Sequence, residues 1–393
     1  MSSATSPSPP ALTQCPGCGG SSLGGSLFLA AQPVILNYRF GSAQEAQNVP
    51  RRDLHLRECN SCGLVFNAIL DAAAIPYDER YENRQNFSAG FLGMLRDTAD
   101  SLTGKYLAGG GTVLEVGCGK GDFLQILCRR AQAQGLGYDT SCEHPGPTED
   151  GRITFFQRYV TPEDVAGKLD LIICRHVVEH VPQIGDFMRL LHGISEAGGG
   201  APVYIETPAL EWIVEHQAFW DVFYEHCNYF PVNNLRRLAE LAGFEVLDHR
   251  LIFGGQYQAL EIRPAPGGKT AHPGQEPVPG QLETLSGALS ASRREVTEKL
   301  AQAGAAGGWA IWGAGAKGVS LGNALTDSPP AFVIDSNPSK QGMFLPGTGI
   351  RVIAPESPEV KTIPVILVAN SNYLPEISAT LASLGCQPKL LPL

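Results

Sequence analysis

The chain has 393 residues, 43% of them hydrophobic and 17% charged, with a formal net charge of −10. That length exceeds one compact core and predicts two or three domains, while the negative charge argues against a surface that grips nucleic-acid phosphates. No apolar run reaches the length of a membrane span, and MSSATSPSPPAL lacks a basic region followed by an apolar stretch, so residues 1–14 read as a disordered tail of a cytoplasmic protein and not as an export signal.

Residues 15–75 carry the first chemistry. Without an export signal, ten cysteines point to metal binding or simple burial, not to a disulfide framework. Four of them form the pairs Cys15-Pro-Gly-Cys18 and Cys59-Asn-Ser-Cys62. Two intervening residues let both thiolates of a pair face one tetrahedral ion, and Gly19 and Gly63 complete the turns. Four protein ligands saturate Zn2+, so the metal is expected to be structural. The competing readings are two unrelated reduced pairs, or a redox CxxC, which needs only one pair at a helix start. The residues between the pairs must loop out. Arg51, Arg52, His55 and Arg57 read as a solvated strand edge, and the six scattered cysteines as small buried hydrophobes.

Residues 76–262 change character. Buried-strand runs (TVLEV, GLGYD, LDLIICR, PVYIET) alternate with helical stretches such as DFLQILCRRAQAQ, the pattern of parallel βαβ units. VLEVGCGKGDF is strand, glycine turn and helix start, and Asp139 ends the next strand. A Pro/Gly-rich linker is expected over 263–281, then a helix over about 282–303. A second, smaller α/β unit of three or four strands (AIWG, AFVID, PVILVAN) completes residues 282–393. It contains WGAGAKG, a literal GxGxxG, with Asp335 at the next strand end. Taken alone, either loop can hold a dinucleotide, but a lone GxGxxG is a weak signal.

The first loop, E-x-G-x-G-x-G followed by an acid, resembles the class I S-adenosylmethionine-dependent methyltransferases. The resemblance implies a Rossmann-like core, with Asp139 on the cofactor's ribose and Gly117, Gly119 and Gly121, beside Glu115, against its methionine end. HVVEH at 176–180 spells an inverted metalloprotease signature, yet it directly follows a buried strand and Pro182 leaves no room for the helix that chemistry needs. The resemblance instead places His176 and His180 beside the methyl donor. His176 joins the candidate cofactor site.

VFYEHCNYF (222–230) sets ionisable groups among aromatic ones. Together with the CxxC pairs, YENRQNFS, LEVGCGKGDF, CRHVVEH, GAGAKG and VIDSNPSKQGMFLPGT, it resembles the three-domain C-methyltransferases that act on nucleotide-linked keto-deoxysugars. Members of that family commonly read Y-H-E-H where this chain has Phe223-Tyr224-Glu225-His226. Carbon methylation needs a carbanion equivalent, most accessible beside a ketone, and a base near neutral pKa. His226 is expected as that base, Glu225 as the carboxylate orienting it, and Tyr81, Tyr224 and His180 as their catalytic neighbours. Asn228, Lys317 and Lys340 are candidate substrate contacts, the lysines suiting an anionic handle at a helix N-terminus. A core segment whose Glu–His pair satisfies itself is the structural alternative. The expected partner is a small, nucleotide-linked substrate, with no nucleic acid and no membrane, and the protein is expected to be a monomer or weak homo-oligomer. O- or N-methylation of a small metabolite, and an NAD-dependent oxidoreductase built on WGAGAKG, are the rival functions.

Overall fold

The structure is a computed structural model. It describes residues 9–268 and 279–393 apart from Glu79, Asn83 and Gln85; residues 1–8 of the expected tail and 269–278 of the expected linker lie outside the described residues. Among the described residues the strands form three sheets.

The first sheet is antiparallel. Leu23–Pro33 pairs with Arg51–Cys59, which pairs with Val65–Asn67. Alternation buries Leu54, Leu56 and Glu58 on one face. The fourth strand arrives from far along the chain: Asn228 lies opposite Phe66 and Tyr229 opposite Val65. The VFYEHCNYF segment is therefore fastened to the cysteine-bearing sheet. Arg51 is not simply a solvated edge: its guanidinium donates to Asn323 Oδ1 (2.6 Å) and to Gly347 O (3.0 Å) in the C-terminal unit.

The second sheet has eight strands. Thr112–Val116 lies between Gln134–Tyr138 and Leu171–Arg175, all parallel, and Val203–Pro208 continues that side. Tyr257–Pro264 and Phe244–Ile252 complete it antiparallel, and Ile153–Phe156 with Gly146–Pro147 form the other edge. The central strands are buried on both faces, as parallel sheets require. The helix Asp122–Ala131 buries Phe123, Leu124, Leu127, Cys128 and Ala131, one apolar stripe at helical spacing. This is the class I methyltransferase Rossmann-like fold.

The third sheet has five parallel strands, more than the three or four expected. The extra edges, Val352–Ile353 and Lys389–Pro392, are too short for an apolar run to announce them. The helix Gln281–Gln302 buries Leu282, Leu285, Leu289, Val296 and Leu300 in a hydrophobic cluster shared with Leu54 of the first sheet, Trp220 and Ile311. No described helix is long and apolar enough to cross a membrane.

Candidate active site

The first glycine loop closes on its own sheet. Gly117 N–H donates to Tyr138 O (2.8 Å), and Gly121, at φ 82°, opens the following helix. A Cβ on Gly117 would lie 2.3 Å from Val177, so no larger residue fits there, whereas the corresponding direction at Gly119 is open space. Asp139, half-buried at the strand end, accepts from Gly119 N–H (2.8 Å) and from Ser141 N–H (2.6 Å) and hydroxyl (2.7 Å). Its carboxylate thus clasps the glycine loop. Glu115 is buried beneath, with Oε2 unpartnered, and burial pushes it up to about 8. An open loop, a strand-end acid and an orphaned buried carboxyl oxygen fit S-adenosylmethionine.

A cavity of about 270 Å³ runs from the methyltransferase core to the second glycine loop. Tyr81, His176, Glu179, His180, Phe223, Glu225 and His226 line one end, and Trp312, Gly313, Lys317, Asp335, Asn337 and Lys340 the other. Glu115, the first-loop glycines and Asp139 are not part of this lining. His226 packs against Phe223 (centroids 4.1 Å) and His180 (4.8 Å). Burial, then the charges of His180, His176 and Lys317, hold its imidazole well below the usual histidine range, which favours the neutral ring with a free lone pair but makes it a weaker base.

Glu225 does not orient His226. Its carboxylate accepts from Leu36 N–H (2.6 Å), the Tyr81 hydroxyl (2.8 Å) and, at 3.5 Å, Asn37 Nδ2. Burial raises its pKa. These partners come from the N-terminal unit, and nothing in the sequence around Asn37 marked it. Tyr224 is also displaced from the expected role: it is fully buried, and its hydroxyl accepts Asp71 N–H (2.8 Å) outside the cavity. Asn228 braces the backbone, donating to Val181 O (2.7 Å) and Val178 O (3.2 Å), and touches no cavity. The irregular turn preceding the short strand gives successive side chains no fixed alternation, which is why neighbours in sequence point apart.

Lys317 is not a free anion handle. It is part-buried, ion-paired with Asp221, and its Nζ lies 4.7 Å from the centre of the Trp212 ring. Lys340 lines the cavity and donates to Ala314 O (3.1 Å). His176 sits at a left-handed φ of 52° where strand Leu171–Arg175 ends. Its Nε2 is 2.9 Å from Glu206 and Nδ1 3.4 Å from Glu179. Burial opposes its charge, but the two carboxylates outweigh it and raise it to about 9. HVVEH makes only the short turn Val178–His180 and no metalloprotease helix.

Cys15, Cys18, Cys59 and Cys62 converge, with all four Sγ within 4.8 Å. Cys15 Sγ lies 3.6 Å from Cys62 Sγ, and Cys18 Sγ 3.6 Å from Cys59 Sγ. Gly17 and Gly20 N–H groups point at sulfur at 3.4 Å. A tetrahedral site with metal–sulfur bonds of about 2.3 Å has edges of about 3.8 Å, so the donor set fits Zn2+. The six other cysteines are buried.

Residues 93–249 match the methyltransferase domain family, and residues 280–386 the C-methyltransferase C-terminal domain. C-methyltransferase NovU of Streptomyces niveus is 27% identical over 294 residues, 69% of each chain. The chain belongs to the S-adenosylmethionine-dependent C-methyltransferase family. Membership assigns the second glycine loop to a C-methyltransferase domain and replaces the oxidoreductase alternative. Among solved structures, an O-methyltransferase family protein from Burkholderia thailandensis is 17% identical, covering 44% of this chain and 56% of its own, at a TM-score of 0.34. The 1,6-didemethyltoxoflavin-N1-methyltransferase of the same organism is 14% identical, covering 44% and 78%, at 0.33.

Proposed function

We propose that this C-methyltransferase methylates a carbon beside a ketone, in a nucleotide-linked keto-deoxysugar or a similar natural-product precursor. The observation that carries the reading is a neutral, part-buried His226 beside the Tyr81–Glu225 pair in a cavity that reaches the C-terminal unit. A cavity lined by both the methyltransferase core and the C-terminal unit suits a substrate with a reacting end and a handle. S-adenosylmethionine, held by Gly117–Gly121, Glu115 and Asp139 with His176 nearby, supplies an electrophilic methyl group. His226 removes the proton from the substrate carbon, and the C–H electron pair enters the enolate. The Tyr81 hydroxyl, which donates to Glu225 (2.8 Å) and accepts from Asn37, transfers its hydrogen bond to the enolate oxygen as charge develops there. Residues 15–75 form a domain folded around structural zinc, 76–262 bind the cofactor, and 282–393 hold the substrate's handle, with Lys340 its cation.

The test is incubation of the full chain with S-adenosylmethionine and a panel of nucleotide-linked keto-deoxysugars, followed by mass and NMR of the product. A new carbon–methyl bond is expected; methylation at oxygen or nitrogen instead would sink the carbon reading. His226→Ala should lower turnover by about 10²–10⁴-fold, and deuterium beside the ketone should no longer exchange with solvent. Metal analysis should find one zinc per chain, lost in Cys59→Ser together with the fold of the N-terminal sheet, since such sites contribute on the order of 10 kcal/mol.

A further inference from the structure

His226 needs somewhere to send its proton. Both Glu225 oxygens are occupied by Leu36, Tyr81 and Asn37. No described residue hydrogen-bonds to either ring nitrogen of His226. Around it, His176, His180 and Lys317 all disfavour an imidazolium. His180 gives no outlet, because its Nδ1 already faces Glu225 O (2.9 Å) and the Tyr77 hydroxyl (3.1 Å).

Glu179 is the buried acid left over. It is 1% exposed and lines the cavity. Thr207 Oγ1 fixes Oε2 at 3.0 Å, while Oε1 makes no hydrogen bond and has His176 Nδ1 as an ion-pair neighbour at 3.4 Å. A carboxylate oxygen of Glu179 and a ring nitrogen each of His180 and His226 lie within 4.8 Å of one another. A gap of that size is short enough for one water to bridge. Facing Glu179 from the other elements are His176, whose second carboxylate partner is Glu206, and the thiols Cys174 and Cys227, both kept neutral by burial. Tyr77, also neutral by burial, closes the side toward the N-terminal unit.

We propose that Glu179 is the carboxylate that serves His226, accepting through one bridging water the proton that His226 takes from the substrate carbon. This rests on His226 being the base. In the balanced step the substrate C–H bond breaks, its electron pair enters the enolate, and the proton moves to His226. The bridging water then receives it while giving one of its own to Glu179 Oε1, so His226 is neutral again before the next turnover. Glu179 acts through His226 and is a positioning residue.

The experiment uses the full, zinc-loaded chain with carbon-13-labelled histidine. The His226 ring signal, assigned by its loss in His226→Gln, is titrated by NMR in the wild type, Glu179→Gln and Glu179→Asp. An opposite charge at this range shifts a histidine midpoint by about 1–3 units. The midpoint should therefore fall by about that much in Glu179→Gln, which keeps the Thr207 contact, and recover in Glu179→Asp. With an accepted keto-sugar, kcat should fall by about 10²-fold with KM little changed. An unmoved midpoint in a folded Glu179→Gln overturns the proposal. Deuterium exchange surviving in His226→Ala overturns the base reading and this proposal with it, and the NMR midpoint tells the two failures apart.

Discussion

At Gly117 and at Gly313 the backbone N–H donates to the neighbouring strand, to Tyr138 O (2.8 Å) and Ile334 O (2.7 Å). In both loops an acid at that strand's end clasps the turn: Asp139 on Gly119 N–H (2.8 Å), Asp335 on Ala314 N–H (2.6 Å). Their surroundings then diverge. Two residues before the first glycine stands buried Glu115, and at the same place in the second loop stands Ile311. Gly119 and its counterpart Gly315 both face open space, but a Cβ on Gly117 would meet Val177 at 2.3 Å, whereas the same direction at Gly313 is open. Lys317 from that helix reaches across to Asp221 and Trp212 of the methyltransferase unit. One turn chemistry thus recurs in two surroundings, and the second loop both docks on the neighbouring unit and walls the cavity.

Three experiments break or sharpen this contrast. The largest effect should come from Lys317→Ala, which leaves Asp221 buried and unpaired. Breaking such a pair costs about 3–5 kcal/mol, readable as a lower urea midpoint, with partial recovery in Lys317→Ala combined with Asp221→Ala. An unchanged midpoint would mean the second loop does not dock the unit beside it.

Glu115 gives a smaller effect, with a sign set by pH. Its folded pKa, about 8, lies above the 4.5 of an exposed glutamate, so the native state favours the protonated form and loses stability as pH rises between these values. From pH 6 to 8 the loss should amount to about 2–3 kcal/mol, and Glu115→Gln should remove that slope. Thermal unfolding at several pH values reads it; an equal slope in the variant would place the charge elsewhere.

The smallest effect separates the two acids. Asp139→Asn should weaken S-adenosylmethionine binding about tenfold, near 1.4 kcal/mol, whereas Asp335→Asn should leave it unchanged. Calorimetry on both variants checks this, and equal losses would erase the functional distinction between the loops.

Much of this architecture was legible because it is local. Two-residue spacing brings Cys15 to Cys18 and Cys59 to Cys62, and a strand followed by glycines announces each loop before any packing is known. Buried parallel strands show as continuous apolar runs, whereas Ile153–Phe156, the antiparallel pair Phe244–Ile252 and Tyr257–Pro264, and the short edges of the third sheet escaped notice. The identity of His226 as an ionisable group in an aromatic segment was likewise visible. Its partners were not. Glu225 meets Leu36 across 189 residues of sequence, Lys317 meets Asp221 across 96, and Tyr224 turns away from the histidine two places on. Glu179 was present in HVVEH, where the histidines drew attention, but its orphaned oxygen exists only once Thr207 has taken the other. Spacing and backbone conformation are properties of a short stretch and can be read from it. Which buried charges face each other depends on how separate units pack, and that packing alone decided the wiring of the site.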